Sequence, residues 1–274
     1  MTPDTGSGTE LGGRHVVVTR PATQADAFCA MLERAGARVT RFPAIEIRGP
    51  RDPSGLRAAL QGLAEYDIAV FISPNAVRRV VPEARAHGPW PPGLRTAAIG
   101  ASTARELAAQ GLPADIVPET RFDSEALLES DALQSVEGLR VVIFRGDGGR
   151  EFLAQTLRSR GAEVTYAEAY RRARPEIDPR ALAASLRAGA VDVMTVTSGE
   201  SLQNLVTMLG PVAGDALWET RLVVGAGRVA ERARELGFRG EVVTAEDPTD
   251  AAMFRAVVGC LEGSEGPGGP GRTQ

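Results

Sequence analysis

The chain repeats itself at a fixed spacing, and that spacing limits the folds open to it. HVVVTRPATQADAFCAMLERAGARVTRF at 15–42 resembles RVVIFRGDGGREFLAQTLRSRGAEVTYA at 140–167. Arg20 falls on Arg145, an offset of 125 residues, and Gly36-Ala37 falls on Gly161-Ala162 at the same offset. YDIAVFISPNAVRRV then matches VDVMTVTSGESLQNL, with Asp67 on Asp192 and Ser73 on Ser198. Gly100 lies on Gly225, Gly111 on Gly237 after one inserted residue, and Ser124 on Thr249. Landmarks that hold one register across half the protein mark two copies of one folding unit.

Each copy reads β-α-β, helix, β-α, β-α, β-α. Short apolar runs such as Val16–Val18, Ile68–Ile72, Val141–Phe144 and Val193–Val196 predict strands buried on both faces. Ala22 to Ala35 and Arg150 to Arg160 carry apolar residues at helical spacing and run into glycine, which predicts helices there. Strands alternating with helices give parallel sheets covered on both sides. The expected fold is therefore α/β, with two similar doubly wound parallel-sheet lobes. Ligands in such folds bind beyond the carboxyl ends of the strands, so two lobes imply a cleft faced by two matching sets of loops.

Composition narrows the chemistry. With 43% hydrophobic and 24% charged residues this is an ordinary globular composition, and no apolar run is long enough to span a bilayer. MTPDTGSGTELGG lacks the apolar core of a secretion signal and is expected to be a disordered lead-in over 1–13. The low-complexity tail, 263–274, is expected to be disordered as well. Cys29 and Cys260 sit among apolar helical neighbours as packing residues, and His15 and His87 are too few for a zinc site or a Ser-His-Asp triad. All 31 basic residues are arginine. Schiff-base lysines and lysine phosphate loops are thus excluded, and any bound anion must be held by arginine or backbone N–H groups. A net charge of −4 without basic runs gives no sign of nucleic acid.

The polar residues at the strand ends are alike in both copies. The first has Thr19 and Arg20, then Ser73 and Asn75, then Gly100, Ser102 and Thr103, then Ser124. The second has Arg145 and Gly146, then Ser198, Gly199 and Ser201, then Gly225, Gly227 and Arg228, then Thr249. All open helices, whose first N–H groups and partial positive charge suit a ligand rich in carboxylates or phosphates. Ser, Thr and Asn are also ordinary N-caps, so a purely structural role stays open at each position. One stretch, Gly225-Ala-Gly-Arg-Val-Ala230 with Glu246 and Asp247 some 20 residues on, fits a dinucleotide fingerprint. Its repeat partner AAIGASTARELAAQG lacks the second glycine, and only one short strand and one helix follow it. The fingerprint therefore reads as a repeated strand-to-helix turn, with nicotinamide oxidoreduction as the weaker alternative. Tyr170 is the one oddly placed hydroxyl. It lies in an extended segment where alternation puts it on the same face as Tyr166, with packing at a domain junction as the other reading.

Taken in order, VVVTRPATQADAF, GARVTRFPAIEI, FISPNAV, AIGASTARELAAQG, GGREFLAQTLRSRGAEVTYAEAYRR, VTSGESLQNL and DPTDAAM resemble the uroporphyrinogen-III synthase family over roughly residues 14 to 260. The resemblance implies an interleaved chain: 14–38 with 172–262 as one lobe, 45–164 as the other, and linker strands at 39–44 and 165–171. It implies an active site in the inter-lobe cleft and a reaction on hydroxymethylbilane, a linear tetrapyrrole octacarboxylate. That molecule loses water and closes with its last pyrrole ring inverted, without cofactor or metal. Tyr170 matches the family's tyrosine near the second linker and is the candidate to assist hydroxide departure. Ser73, Ser198 and Thr249 match hydroxyl positions at strand ends. Ala226 to Val229 departs from the G-x-T-T-like turn of relatives, which leaves Arg228 as a carboxylate ligand or a solvent-facing residue. The expected protein is a cytoplasmic monomer that binds a small molecule and neither nucleic acid nor membrane. A non-catalytic binder of a polyanionic small molecule is the alternative from another class.

Overall fold

The structure is a computed structural model that describes residues 10–118, 121, 123–149 and 151–262. The chain divides into two compact units, Met1–Glu46 with Ala173–Gln274 (unit 1) and Ile47–Arg172 (unit 2).

Unit 1 holds strands β1 (His15–Val18), β2 (Arg38–Arg41), β8 (Val193–Val196), β9 (Leu222–Val224) and β10 (Val242–Thr244) in the order β10-β9-β8-β1-β2, all parallel. Alternation splits each strand between two cores. Val17, Met194 and Val224 pack under helices α8 (Arg180–Arg187), α9 (Gly199–Ala213) and α11 (Gly227–Leu236). Val16, Val18 and Val223 pack under α1 (Asp26–Arg34) and α12 (Asp250–Glu262). A short helix, α10 (Asp215–Trp218), links α9 to β9.

Unit 2 holds β3 (Glu46–Arg48), β4 (Ile68–Phe71), β5 (Arg95–Ala98), β6 (Arg140–Gly146) and β7 (Glu163–Ala173) in the order β3-β7-β6-β4-β5. Strands β7, β6, β4 and β5 pair in parallel. Ala69, Phe71 and Phe144 face α2 (Ser54–Gln61), α3 (Pro74–His87) and α4 (Ala101–Ala109). Ile68, Val70 and Ile143 face α5 (Ser124–Glu129), α6 (Asp131–Gln134) and α7 (Phe152–Ser159). Where unit 1 has β10, unit 2 has, among the described residues, an isolated bridge, Ala97 to Ile116.

The matched strands β1 and β6 start 125 residues apart at His15 and Arg140, as do β4 and β8 at Ile68 and Val193. They are distributed crosswise: β1 of the first copy pairs with β8 of the second, while β6 of the second pairs with β4 of the first. One side chain marks each crossing. The Asp192 carboxylate accepts the His15 N–H at 2.7 Å, and the matched Asp67 carboxylate accepts the Arg140 N–H at 2.8 Å. Gly36 and Gly161 close the helices α1 and α7 with the same φ of 86°, the left-handed region that disfavours a side chain.

Local differences from the expected elements have local causes. The first turn after β1 is a 3-10 turn at Ala22–Gln24, with α1 starting at Asp26. The expected lead-in over 1–13 ends earlier than the sequence implied. Leu11 is 1% exposed in the core of α1 and α12, and its N–H donates to Ala35 O at 3.0 Å. Residues 1–9 and the expected tail 263–274 lie outside the described residues. Among the described residues no helix is long and apolar enough to cross a membrane.

Candidate functional site

In unit 2 the strand ends bring Ser73, Gly146 and Tyr170 into direct contact. Phe71 ends β4, and Ser73 then caps α3: its Oγ accepts the Ala76 N–H at 3.2 Å, with Pro74 at the first helical position. The same hydroxyl donates to Tyr170 Oη at 2.9 Å. Tyr170 is 4% exposed. Its ring lies on Gly146, where a Cβ would sit 2.9 Å from the ring's Cζ, so only glycine admits it.

The pairing of β7 with β6 corrects the expectation that Tyr166 and Tyr170 share a face. Tyr166 pairs with Ile143 and Glu168 with Arg145, but Gly146 pairs with Tyr170, so Ala169 is an extra residue. This bulge inverts the alternation. Tyr166 packs with Ile68 and Val70, and Tyr170 packs on the opposite face with Phe71 and Phe144.

Arg145, expected as a free anion ligand, is folded into its own loop. It is 5% exposed, with Nε donating to Gly148 O at 3.0 Å and Nη1 to Glu151 Oε1 at 2.9 Å. Its guanidinium stacks 4.5 Å from the Tyr166 ring centre. The Tyr166 hydroxyl and the Arg145 guanidinium hold the Glu151 carboxyl below the usual range, while burial, then that carboxylate, pushes the Tyr166 phenol up. A cavity of about 190 Å³ opens beside them, walled by Ile72, Ile99, Ile143 and Leu153, with Ser124, Arg145 and Tyr166 as its polar groups. Asn75 lies half-buried in the first turn of α3. Gly100 precedes α4 in extended backbone, Ser102 is exposed, and Thr103 is 1% exposed, turned into the core.

Unit 1 carries the matched turns in a quieter form. Arg20 pairs with Asp250, donates to Pro248 O at 2.7 Å and stacks 4.7 Å from the Phe28 ring centre. Thr19 is 1% exposed and donates to Thr195 O at 2.7 Å. Ser198 caps α9 by accepting the Ser201 N–H at 3.1 Å, and its Oγ lies 2.8 Å from Ser201 Oγ. Gly199 is the first residue of α9. Gly227 and Arg228 are exposed at the start of α11. Exposed Thr249 accepts the Ala252 N–H at 3.4 Å. Gly225 owes its identity to packing, since a Cβ there would lie 3.0 Å from Pro248 Cβ and 3.3 Å from Thr197 Cα. The acids that completed the dinucleotide fingerprint are otherwise engaged, Glu246 by Arg255 at 2.6 Å and Asp247 by the Thr249 N–H at 2.8 Å. β10, which follows the fingerprint, ends the sheet.

Sequence reasoning missed Glu151 and Asp250, the carboxylates that neutralise the two matched arginines. No spacing rule separates such a partner from any other surface acid.

Fold and turns together define an α/β protein of two parallel-sheet units whose polar groups cluster where strands pass into helices. Residues 26–255 match the family described as uroporphyrinogen-III synthase HemD. The chain is 36% identical over 247 residues to the uroporphyrinogen-III synthase of Salmonella typhimurium, covering 88% of this chain and 99% of that protein. It is 33% identical to the Escherichia coli enzyme over 246 residues, with 88% and 99% covered. A solved uroporphyrinogen-III synthetase from Helicobacter pylori shares the fold at TM-score 0.58 and 13% identity, covering 90% of this chain and 99% of that one. The chain belongs to the uroporphyrinogen-III synthase family.

Proposed function

We propose that the chain is a uroporphyrinogen-III synthase, a lyase-type cyclising enzyme of tetrapyrrole biosynthesis. The observation that carries this reading is the family match over 26–255, joined to relatives of that name covered over 99% of their length. Its substrate is hydroxymethylbilane. The C–O bond of the hydroxymethyl group breaks, hydroxide leaves as water with one added proton, and an azafulvenium cation remains. The last pyrrole attacks through its substituted carbon, giving a spiro-pyrrolenine that reopens and recloses with the ring inverted. Loss of one ring proton restores aromaticity, so the balance is substrate to product plus water.

The pyrrole nitrogen stabilises the cation, so the protein's share is to fold the chain and choose the attacking carbon. Tyr170 is the catalytic residue in this reading and gives its phenol proton to the departing hydroxyl. The N–H groups opening α3, α4, α9 and α11, with Asn75, Gly100, Ser102, Ser198, Gly199, Gly227, Arg228 and Thr249, receive the substrate's carboxylates. Arg20, Arg145 and Gly146 shape those turns, and buried Thr103 and Ser201 support them from within. The proposal includes a monomer acting in the cytoplasm.

Incubation with enzymatically generated hydroxymethylbilane is expected to yield the type III isomer. Type I alone, at the uncatalysed rate, would overturn the reading and leave a non-catalytic binder.

A further inference from the structure

Matched residues in the two units differ at one point that bears on Tyr170. Ser73 and Ser198 both cap a long helix with the same geometry, accepting the N–H of Ala76 and Ser201 respectively, three residues on. In unit 1 that third residue carries a hydroxyl of its own, and Ser198 Oγ is paired with Ser201 Oγ at 2.8 Å. In unit 2 the third residue is Ala76, buried and without a polar side-chain atom, so Ser73 has no such neighbour and its proton goes to Tyr170 Oη at 2.9 Å.

We infer that Ser73 is a positioning residue that sets the direction of the Tyr170 hydroxyl proton, and that Ala76 is the substitution that frees it to do so. The inference rests on the proposed synthase reading, in which Tyr170 supplies the proton of the departing water. Ser73 accepts from the first turn of a 14-residue helix and donates to the phenol oxygen. Donation from a helix N-terminus strengthens the next hydrogen bond in the chain. With its oxygen already accepting from Ser73, Tyr170 keeps its own proton for an acceptor outside this pair. Gly146 holds the ring from below, since any Cβ there would meet it at 2.9 Å. The phenol is therefore fixed at two points, ring and oxygen.

Ser73→Ala, Ser73→Thr, Ala76→Ser and Tyr170→Phe test this, together with the Ser73→Ala/Tyr170→Phe double variant. Ser73→Ala is expected to lower kcat about tenfold with little change in KM, the loss of one directing hydrogen bond. Ser73→Thr restores most of the rate, because it keeps both the cap and the donated proton. Ala76→Ser leaves Ser73 and Tyr170 in place, gives Ser73 the partner that Ser198 has, and lowers kcat in the same sense. In the Tyr170→Phe background Ser73→Ala changes kcat by less than about twofold, since it acts through the missing hydroxyl. A full Ser73→Ala effect in that background would overturn the inference.

A second readout needs no activity. In protein carrying [ζ-13C]tyrosine, the Tyr170 signal is the one lost in Tyr170→Phe. It should move in Ser73→Ala and Ala76→Ser and return in Ser73→Thr. A signal that stays put in Ser73→Ala sinks the inference, whereas absence of type III product with a signal that moves sinks only the synthase reading.

Discussion

The two units are built to one plan and furnished differently. Both bracket a crossed strand with a half-buried aspartate, both cap a long helix with serine, and both stack a neutralised arginine on an aromatic ring. Only unit 2 carries a phenol at the strand end. The residue matched to Tyr170 at the 125-residue offset is Ile45, 6% exposed, and the residue matched to Gly146 is Pro21. Duplication thus supplies the frame, in which matched residues do matched structural work. Chemistry enters where the copies diverge, because a reacting group has to suit the ligand and is released from the needs of the sheet.

The largest effect that sharpens this contrast is removal of the phenol. Tyr170→Phe is expected to cut kcat on the order of 100-fold, the contribution of a positioned proton donor, with the thermal midpoint nearly unchanged. Equal activity in steady-state assays would make the two units functionally alike. Next comes Gly146→Ala, which drives a methyl group into the Tyr170 ring. It should cost about 1–3 kcal/mol in chemical denaturation and lower kcat with it, as overpacking does. Pro21→Ala at the matched site, where Ile45 stands in the place of the tyrosine, should leave kcat within about twofold.

The aspartate brackets should behave as equals. Asp67→Ala and Asp192→Ala each strand a backbone N–H, and each is expected to lose about 1–3 kcal/mol by urea titration. Asp192 also pairs with Arg14 at 3.0 Å, so any excess should fall on that side. The smallest effect concerns Glu151. Its folded pKa is lowered, so its stabilisation is full above the ordinary carboxylate pKa and fades as pH falls through the lowered value. Glu151→Gln should flatten that acid limb of the stability curve, and a limb of unchanged slope would show the Arg145 pair to be without consequence.

Much of this was legible in the residues. Val16–Val18 and Val193–Val196 are strands because short runs rich in β-branched residues suit burial on both faces of a covered parallel sheet. What escaped has a physical reason in each case. The bulge at Ala169 sits in YAEAY, with no glycine or proline to mark it, so alternation put Tyr170 on the wrong face. Leu11 looked like part of a glycine-rich lead-in because a single apolar residue shows no period. The pairing of Arg20 with Asp250 and of Arg145 with Glu151 escaped because charge is visible in a sequence and its neutralisation is not. Which copy's strands pair with which came from the family resemblance, since a repeat matches itself equally well either way.

The crossing of strands has a consequence for how the protein is made. Unit 2 is continuous in the chain and can close as soon as its residues leave the ribosome. Strand β1 precedes the other described strands, yet its sheet neighbour β8 is encoded far downstream, with His15 and Asp192 separated by 177 positions in the chain. At typical rates of synthesis that is a wait on the order of 10 to 35 seconds. Through that interval β1 can pair with β2 on one side but lacks β8 on the other, while the residues of unit 2 are already made. The sheet of unit 1 is thus completed only after the whole of unit 2 has been synthesised.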